Sequence, residues 1–238
     1  MKLDILAIGV HPDDVELSCS GTLFKEVSHG KKIGILDLTQ GELGTRGTPE
    51  TRYQEATEAA KIMKLSVRIN LKMQDGFFQN TPQNQLQIIQ IIRYLKPDVV
   101  LANAIDDRHP DHGRAAKLVH DAVFYSGLKK IETEWEGTPQ EAWRPKTLFH
   151  YIQDKHLDPD FVIDITPYIE SKIECIKAYK TQFYDPNSTE PQTPISGQDF
   201  LDFVLSRSRT IGRSAGFEYG EGFTSSKKIG IHRITDVL

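Results

Sequence analysis

Cysteine is scarce in this chain: Cys19 and Cys175 are the only two among 238 residues, and neither stands in a C-x-x-C pattern. That excludes a thiolate zinc site, a dithiol redox centre and a disulfide-dense secreted scaffold, and leaves two ordinary thiols in a reducing cytosol. Long apolar runs are missing too. None approaches the roughly 20 residues that cross a bilayer, and Asp4 interrupts the apolar core that a signal peptide would need. Basic charge is not in excess, with 29 Lys and Arg against 33 Asp and Glu for a net charge of -4. No overall field therefore recommends nucleic acid or an anionic membrane as a partner. The sequence contains no internal repeat, low-complexity tract or linker, so one cytoplasmic domain over residues 1–238 is expected.

Several catalytic signatures are absent as well. There is no G-x-S-x-G elbow, and Ser18-Cys19-Ser20 falls inside an expected helix, which argues against an acyl-enzyme hydrolase. Gly41-x-x-Gly44-x-x-Gly47 follows a strand, but it matches neither G-x-G-x-x-G nor a P-loop.

What the sequence does contain is a regular alternation of elements. Leu3 to Val10 is an apolar run of strand length, and Glu16 to His29 carries helical spacing up to a glycine at position 30. Lys31 to Thr39 reads as a second strand. Thr48-Pro49 opens a helix that ends near Leu65, Thr48 serving as N-cap and Pro49 as first helical residue. Val67 to Leu71, Gln83 to Leu95, Asp98 to Ala102 and Gly113 to Tyr125 continue the pattern of strand and helix. Four such units predict a Rossmann-like, doubly wound α/β fold whose mostly parallel sheet carries helices on both faces. The second half is less regular, with strands expected at Thr147 to Ile152, Phe161 to Ile165 and Ile229 to Ile231. Helices are expected there at Pro167 to Tyr179 and Phe200 to Ile211.

Polar residues collect where two of these strands end. His11-Pro12-Asp13-Asp14 follows the first, and Asp107-Arg108-His109-Pro110-Asp111-His112 the fourth. In a doubly wound sheet, ligands bind beyond the carboxyl ends of the strands, at the switch point where neighbouring strands lead away in opposite directions. His11, Asp14 and His112 then form a two-histidine, one-carboxylate set suited to a catalytic zinc with an open position for water. Each motif alone also reads as a helix-entry turn, since Asp caps helices and Pro favours their first turn. Two of them at two strand exits favour the metal reading. A non-haem iron oxygenase would use the same ligand set. The other histidines, at 29, 120, 150, 156 and 232, lack such a context.

With both motifs placed, the chain resembles the LmbE/PIG-L family of zinc-dependent N-acetylglucosamine (GlcNAc) deacetylases. The matching residues are Val10 to Asp14, the Thr39-Gln40-Gly41-Glu42-x-Gly44-Thr45-Arg46-Gly47-Thr48 loop, Arg52 with Glu55-Ala56, Asp75-Gly76, and Asp107 to His112. The resemblance implies Zn2+ on His11, Asp14 and His112, with other divalent ions able to substitute. It implies Asp13 as general base, His109 as the group that stabilises the oxyanion or protonates the leaving amine, and Asp111 as its orienting partner. Thr181-Gln182-Phe183 and Tyr219 to Phe223 look like the subgroup that deacetylates N-acetylglucosaminyl L-malate in bacillithiol synthesis. Malate carboxylates suit guanidinium groups, which makes Arg52 and Arg108 the substrate-binding candidates. The resemblance also implies a small-molecule GlcNAc conjugate as partner and a homo-oligomer, a hexamer being one such assembly.

Two positions depart from that subgroup: Phe200 stands where some relatives have tyrosine, and Gly220 where the family has alanine. They keep open another GlcNAc conjugate or a chitooligosaccharide as substrate. A non-catalytic sugar- or nucleotide-binding module on the same fold is the rival from another class, and it would have no use for Asp13 or His109.

Overall fold

The structure, a computed structural model, describes residues 1–236. Its centre is a seven-stranded sheet of β1 (Ile5–Gly9), β2 (Ile33–Thr39), β3 (Val67–Met73), β4 (Val99–Ala102), β7 (Thr147–Tyr151), β8 (Phe161–Asp164) and β9 (Gly220–Thr224), in the order β3-β2-β1-β4-β7-β9-β8. The first five pair in parallel, whereas β9 runs antiparallel to both β7 and β8. This is the expected α/β architecture.

The strands are apolar on both sides because both sides are covered. Leu6 and Ile8 pack with α3 (Pro82–Leu95) and α4 (Pro110–Ser126), while Ile5 and Ala7 face α1 (Asp14–Ser28), α2 (Pro49–Ile62), α5 (Ile169–Lys177) and α6 (Phe200–Ser214). Helix α2 begins as its sequence demands: Thr48 and Thr51 exchange side-chain and backbone hydrogen bonds, with Pro49 in the first turn.

Three details correct the sequence reading. Residues 229–231, expected as a strand, form none, and the last strand is instead Gly220–Thr224. Its glycines mask it from propensity and are required by packing. A Cβ on Gly220 would meet Val162 Cγ1 at 2.6 Å and Gly212 Cα at 2.8 Å, so α6 crosses β9 backbone to backbone. The second correction is a hairpin, β5 (Glu134–Trp135) and β6 (Thr138–Pro139), turned by Glu136 and Gly137 at positive φ. The third is that α1 starts at Asp14 rather than Glu16.

Candidate active site

β1 and β4 are neighbours, with Ile5, Leu6 and Ala7 opposite Val99, Val100 and Leu101. β1 leads back to β2 on one side and β4 continues to β7 on the other, so the two polar motifs meet at the switch point. A cavity of about 340 Å³ opens there, lined by His11, Asp13, Asp14, His109 and His112 among others. That volume lies within the range of small-molecule sites.

Asp14 is the most heavily bonded of these residues. Its Oδ2 accepts from the N–H groups of Val10 (2.9 Å) and His11 (3.0 Å) and from Asn103 Nδ2 (2.9 Å), while Oδ1 accepts from Gln153 Nε2 (3.2 Å). Oδ1 also lies 3.1 Å from His112 Nε2, and Oδ2 lies 3.8 Å from His11 Nδ1. Burial alone would raise the Asp14 pKa, but the two histidines and these donors outweigh it and hold the carboxylate ionised.

The far nitrogen of each histidine is bound to another carboxylate: His11 Nε2 to Asp75 Oδ1 at 3.0 Å, and His112 Nδ1 to Asp107 Oδ2 at 2.6 Å. Burial disfavours the His112 cation, yet Asp14 and Asp107 override it and push its pKa up to about 10. His11 is raised in the same way, burial being outweighed by Asp75 and Asp14. Asp107 is held down at about 2, its burial offset by the His112 bond and the Lys155 N–H.

These residues fit a metal ion. One ligand atom from each of His11, Asp14 and His112 lies within 4.8 Å of the others. A histidine whose distal nitrogen is held by a carboxylate is the form in which metal-ligating imidazoles occur. Asp14, Asp75 and Asp107 around the two imidazoles gather negative charge that a divalent cation would neutralise. His11, His109 and Asp111 satisfy the same distance limit, but the His11 atom that faces Asp111 is Nε2, 3.8 Å away and already bound to Asp75, and the Asp111 carboxylate is ion-paired with Arg114 Nη1 at 2.7 Å. The first set is the better cage.

Asp13 is next to the cage and outside it. It is a non-glycine residue at φ 129°, a conformation that costs about 1–3 kcal/mol and persists at functional sites. Desolvation, opposed by Arg52, pushes its pKa up to about 7. Arg52 Nη2 lies 3.1 Å from Asp13 Oδ2 and also donates to Pro12 O, and Arg52 Nη1 donates to Gln182 Oε1 at 2.8 Å. Arg52, expected to bind substrate, borders the cavity with both terminal nitrogens engaged by Asp13, Pro12 and Gln182. Arg108 is exposed at the rim, with Nε 2.6 Å from Asp154 Oδ2.

His109 packs its ring 4.9 Å from His11 and 5.1 Å from His112. Its Nδ1 accepts from the Asp111 N–H at 3.3 Å, which leaves the neutral ring's proton on Nε2. Burial and the two neighbouring histidines lower its pKa. Asp111, expected to orient His109, meets it through its backbone amide, while its carboxylate accepts from Gly76 N–H and Arg114 Nη1.

Residues that sequence reasoning left without a role complete the site. Asp75 and Asp107 orient the histidines. Gln153 and Asn103 hold Asp14, and Gln182 connects Arg52 to the glycine loop by donating to Arg46 O at 2.9 Å. Asp75, Asp107 and Gln182 lie inside motif stretches, which was the available signal. Gln153 and Asn103 follow strands with no motif to mark them.

A two-histidine, one-carboxylate cage beside a second carboxylate paired with an arginine, at the switch point of an open α/β sheet, is an arrangement suited to metal-assisted hydrolysis. Comparison with known proteins agrees. Residues 6–123 match the PIG-L family, described as GlcNAc-PI de-N-acetylase. A conserved protein of Thermus thermophilus has the same structure, with a TM-score of 0.86 and 35% identity over 98% of both chains. The diacetylchitobiose deacetylase of Thermococcus kodakarensis is 24% identical over 96% of this chain and 85% of its own. A 1D-myo-inositol 2-acetamido-2-deoxy-alpha-D-glucopyranoside deacetylase of Mycobacterium leprae is 25% identical over 67% of each. The chain belongs to the PIG-L family, and it is a hydrolase acting on an amide bond.

Proposed function

We propose that this protein is a zinc-dependent N-deacetylase that hydrolyses the acetamide of a GlcNAc conjugate to acetate and a free amine. The observation that carries this reading is the Asp14 carboxylate held between two histidines whose far nitrogens are bound to carboxylates, with the Asp13 carboxylate beside them and paired with Arg52. A divalent cation held by His11, Asp14 and His112 would lower the pKa of water and polarise the amide carbonyl.

The protein's own groups do the rest. Asp13, pinned by Arg52, takes the proton of the attacking water and returns it to the departing nitrogen, and a pKa near neutrality suits both transfers. His109 presents a neutral Nε2–H to the oxyanion, in the way a histidine of lowered pKa acts as an electrophile. The C–N bond then breaks to give acetate and the amine. Of the two roles open for His109, its tautomer favours the oxyanion donor.

N-acetylglucosaminyl malate, the bacillithiol precursor, is the proposed substrate, on the strength of the Thr181 to Phe183 and Tyr219 to Phe223 motifs. The test is amine release from this conjugate and from diacetylchitobiose, with metal analysis, for wild type, Asp13→Ala and His11→Ala. Metal-dependent turnover that both substitutions remove is expected. Full activity in metal-free His11→Ala would overturn the reading.

A further inference from the structure

Three arginines border the cavity, Arg52, Arg108 and Arg207, and they differ in how their charge is met. Arg52 faces Asp13 and Arg108 faces Asp154. Arg207 alone of the three has no carboxylate within ion-pair distance among the described residues. Its Nη1 donates to the backbone oxygen of Gln153 and its Nη2 to that of Leu17 at 3.2 Å. Both acceptors are neutral, so they fix the guanidinium in place without neutralising it, and among the described residues no hydrogen bond engages its Nε–H.

The position of Arg207 follows from α6. Phe200, Phe203, Val204 and Arg207 recur at helical spacing and share one face. The guanidinium stands 5.5 Å from the Phe203 ring, and Phe200 stacks on Phe183 at 5.6 Å. Phe200 and Phe203, with Ile195, Arg108, Asp154 and Asp199, also wall a recess of about 240 Å³ that borders the cavity. The Phe203 ring keeps water from one side of the guanidinium and so strengthens the interaction of Arg207 with an anion that enters the cavity. Burial disfavours the charged form of this group, and Asp154, Asp107 and Glu221 offset that only from beyond ion-pair distance, so a cost remains that an anionic ligand in direct contact would relieve.

We propose that Arg207 is the specificity-determining residue of this cavity, selecting conjugates whose aglycone carries a carboxylate or phosphate over neutral glycosides. This rests on the deacetylase reading above. The guanidinium fork binds either anion through charge-assisted hydrogen bonds, using the donors that its backbone contacts leave free.

The test compares kcat and KM for three substrates on the metal-loaded enzyme: N-acetylglucosaminyl malate, a GlcNAc phosphodiester and diacetylchitobiose. Wild type is expected to favour an anionic substrate over the neutral one in kcat/KM by about ten- to a hundredfold, the range of one charge-assisted hydrogen bond. Whichever anionic substrate leads identifies the group as carboxylate or phosphate. In Arg207→Gln that preference collapses through KM, and in Arg207→Lys part of it returns. A purely structural Arg207 would instead lower kcat for all three substrates and leave the ratio intact, which would overturn the proposal. So would a wild-type ratio near one.

A second measurement needs no variant: the wild-type KM for the anionic substrate should rise with ionic strength while that for the neutral one stays flat, and equal salt dependence would contradict the assignment. If none of the three substrates releases amine, it is the deacetylase reading that fails.

Discussion

At the scale of single residues, the site depends on carboxylates that never touch the reacting atoms. Asp107 holds His112 at 2.6 Å and Asp75 holds His11 at 3.0 Å. Asp107→Asn should fold and keep the cage residues, but bind metal about 10–100-fold more weakly, as read by competition with a chromogenic chelator. The histidines and Asp14 were legible because each motif ends an apolar strand. The separate duties proposed for Asp13 and Asp14 were not legible from residue type, since adjacent aspartates look alike in sequence. Backbone geometry separates them: Asp13 takes a positive φ, while Asp14 turns back to accept from Val10 and His11. The use of Arg52 was also hidden, because its partner Gln182 is 130 positions away. Cys19 and Cys175 are both buried, and desolvation raises both thiols well above their usual range. The native protein should therefore leave a thiol reagent such as DTNB unreacted, and the denatured chain should titrate two thiols.

At the scale of elements, the first half of the chain was readable because each strand and helix is long, periodic and capped by its own residues. β9 was not, because its sequence Gly-Glu-Gly-Phe-Thr answers to tertiary demands. Glu221 in that strand accepts from the N–H groups of Gly21 (3.0 Å) and Thr22 (2.7 Å) within α1 and from Thr22 Oγ1 (2.6 Å), and its other partner is Lys172 Nζ at 2.5 Å. This fully buried pair joins α1, α5 and β9, and α1 also supplies Asp14. Lys172→Met strands the Glu221 charge and should cost about 3–5 kcal/mol, measured by chemical denaturation, with part recovered on adding Glu221→Gln. Gly220→Ala should cost about 1–3 kcal/mol by overpacking against Val162 and Gly212.

At the scale of the whole molecule, the cage draws on the loops after β1 and β4, and its supports come from the loop after β3 and the exit of β7. A bound ion therefore links separate parts of the sheet, and its binding free energy adds to folding stability. Removing metal with a chelator should abolish turnover and lower Tm by several degrees, the effect of about 4 kcal/mol at a thousandfold excess over Kd. Among the described residues no helix is long and apolar enough to cross a membrane. The central claim is the division of labour between Asp14 and Asp13, and Asp13→Asn tests it most directly. Assayed by acetate release with metal content measured on the same sample, the variant should retain its metal and lose about 10²–10⁴-fold in kcat. Turnover near the wild-type rate, or loss of the metal together with the activity, would contradict it.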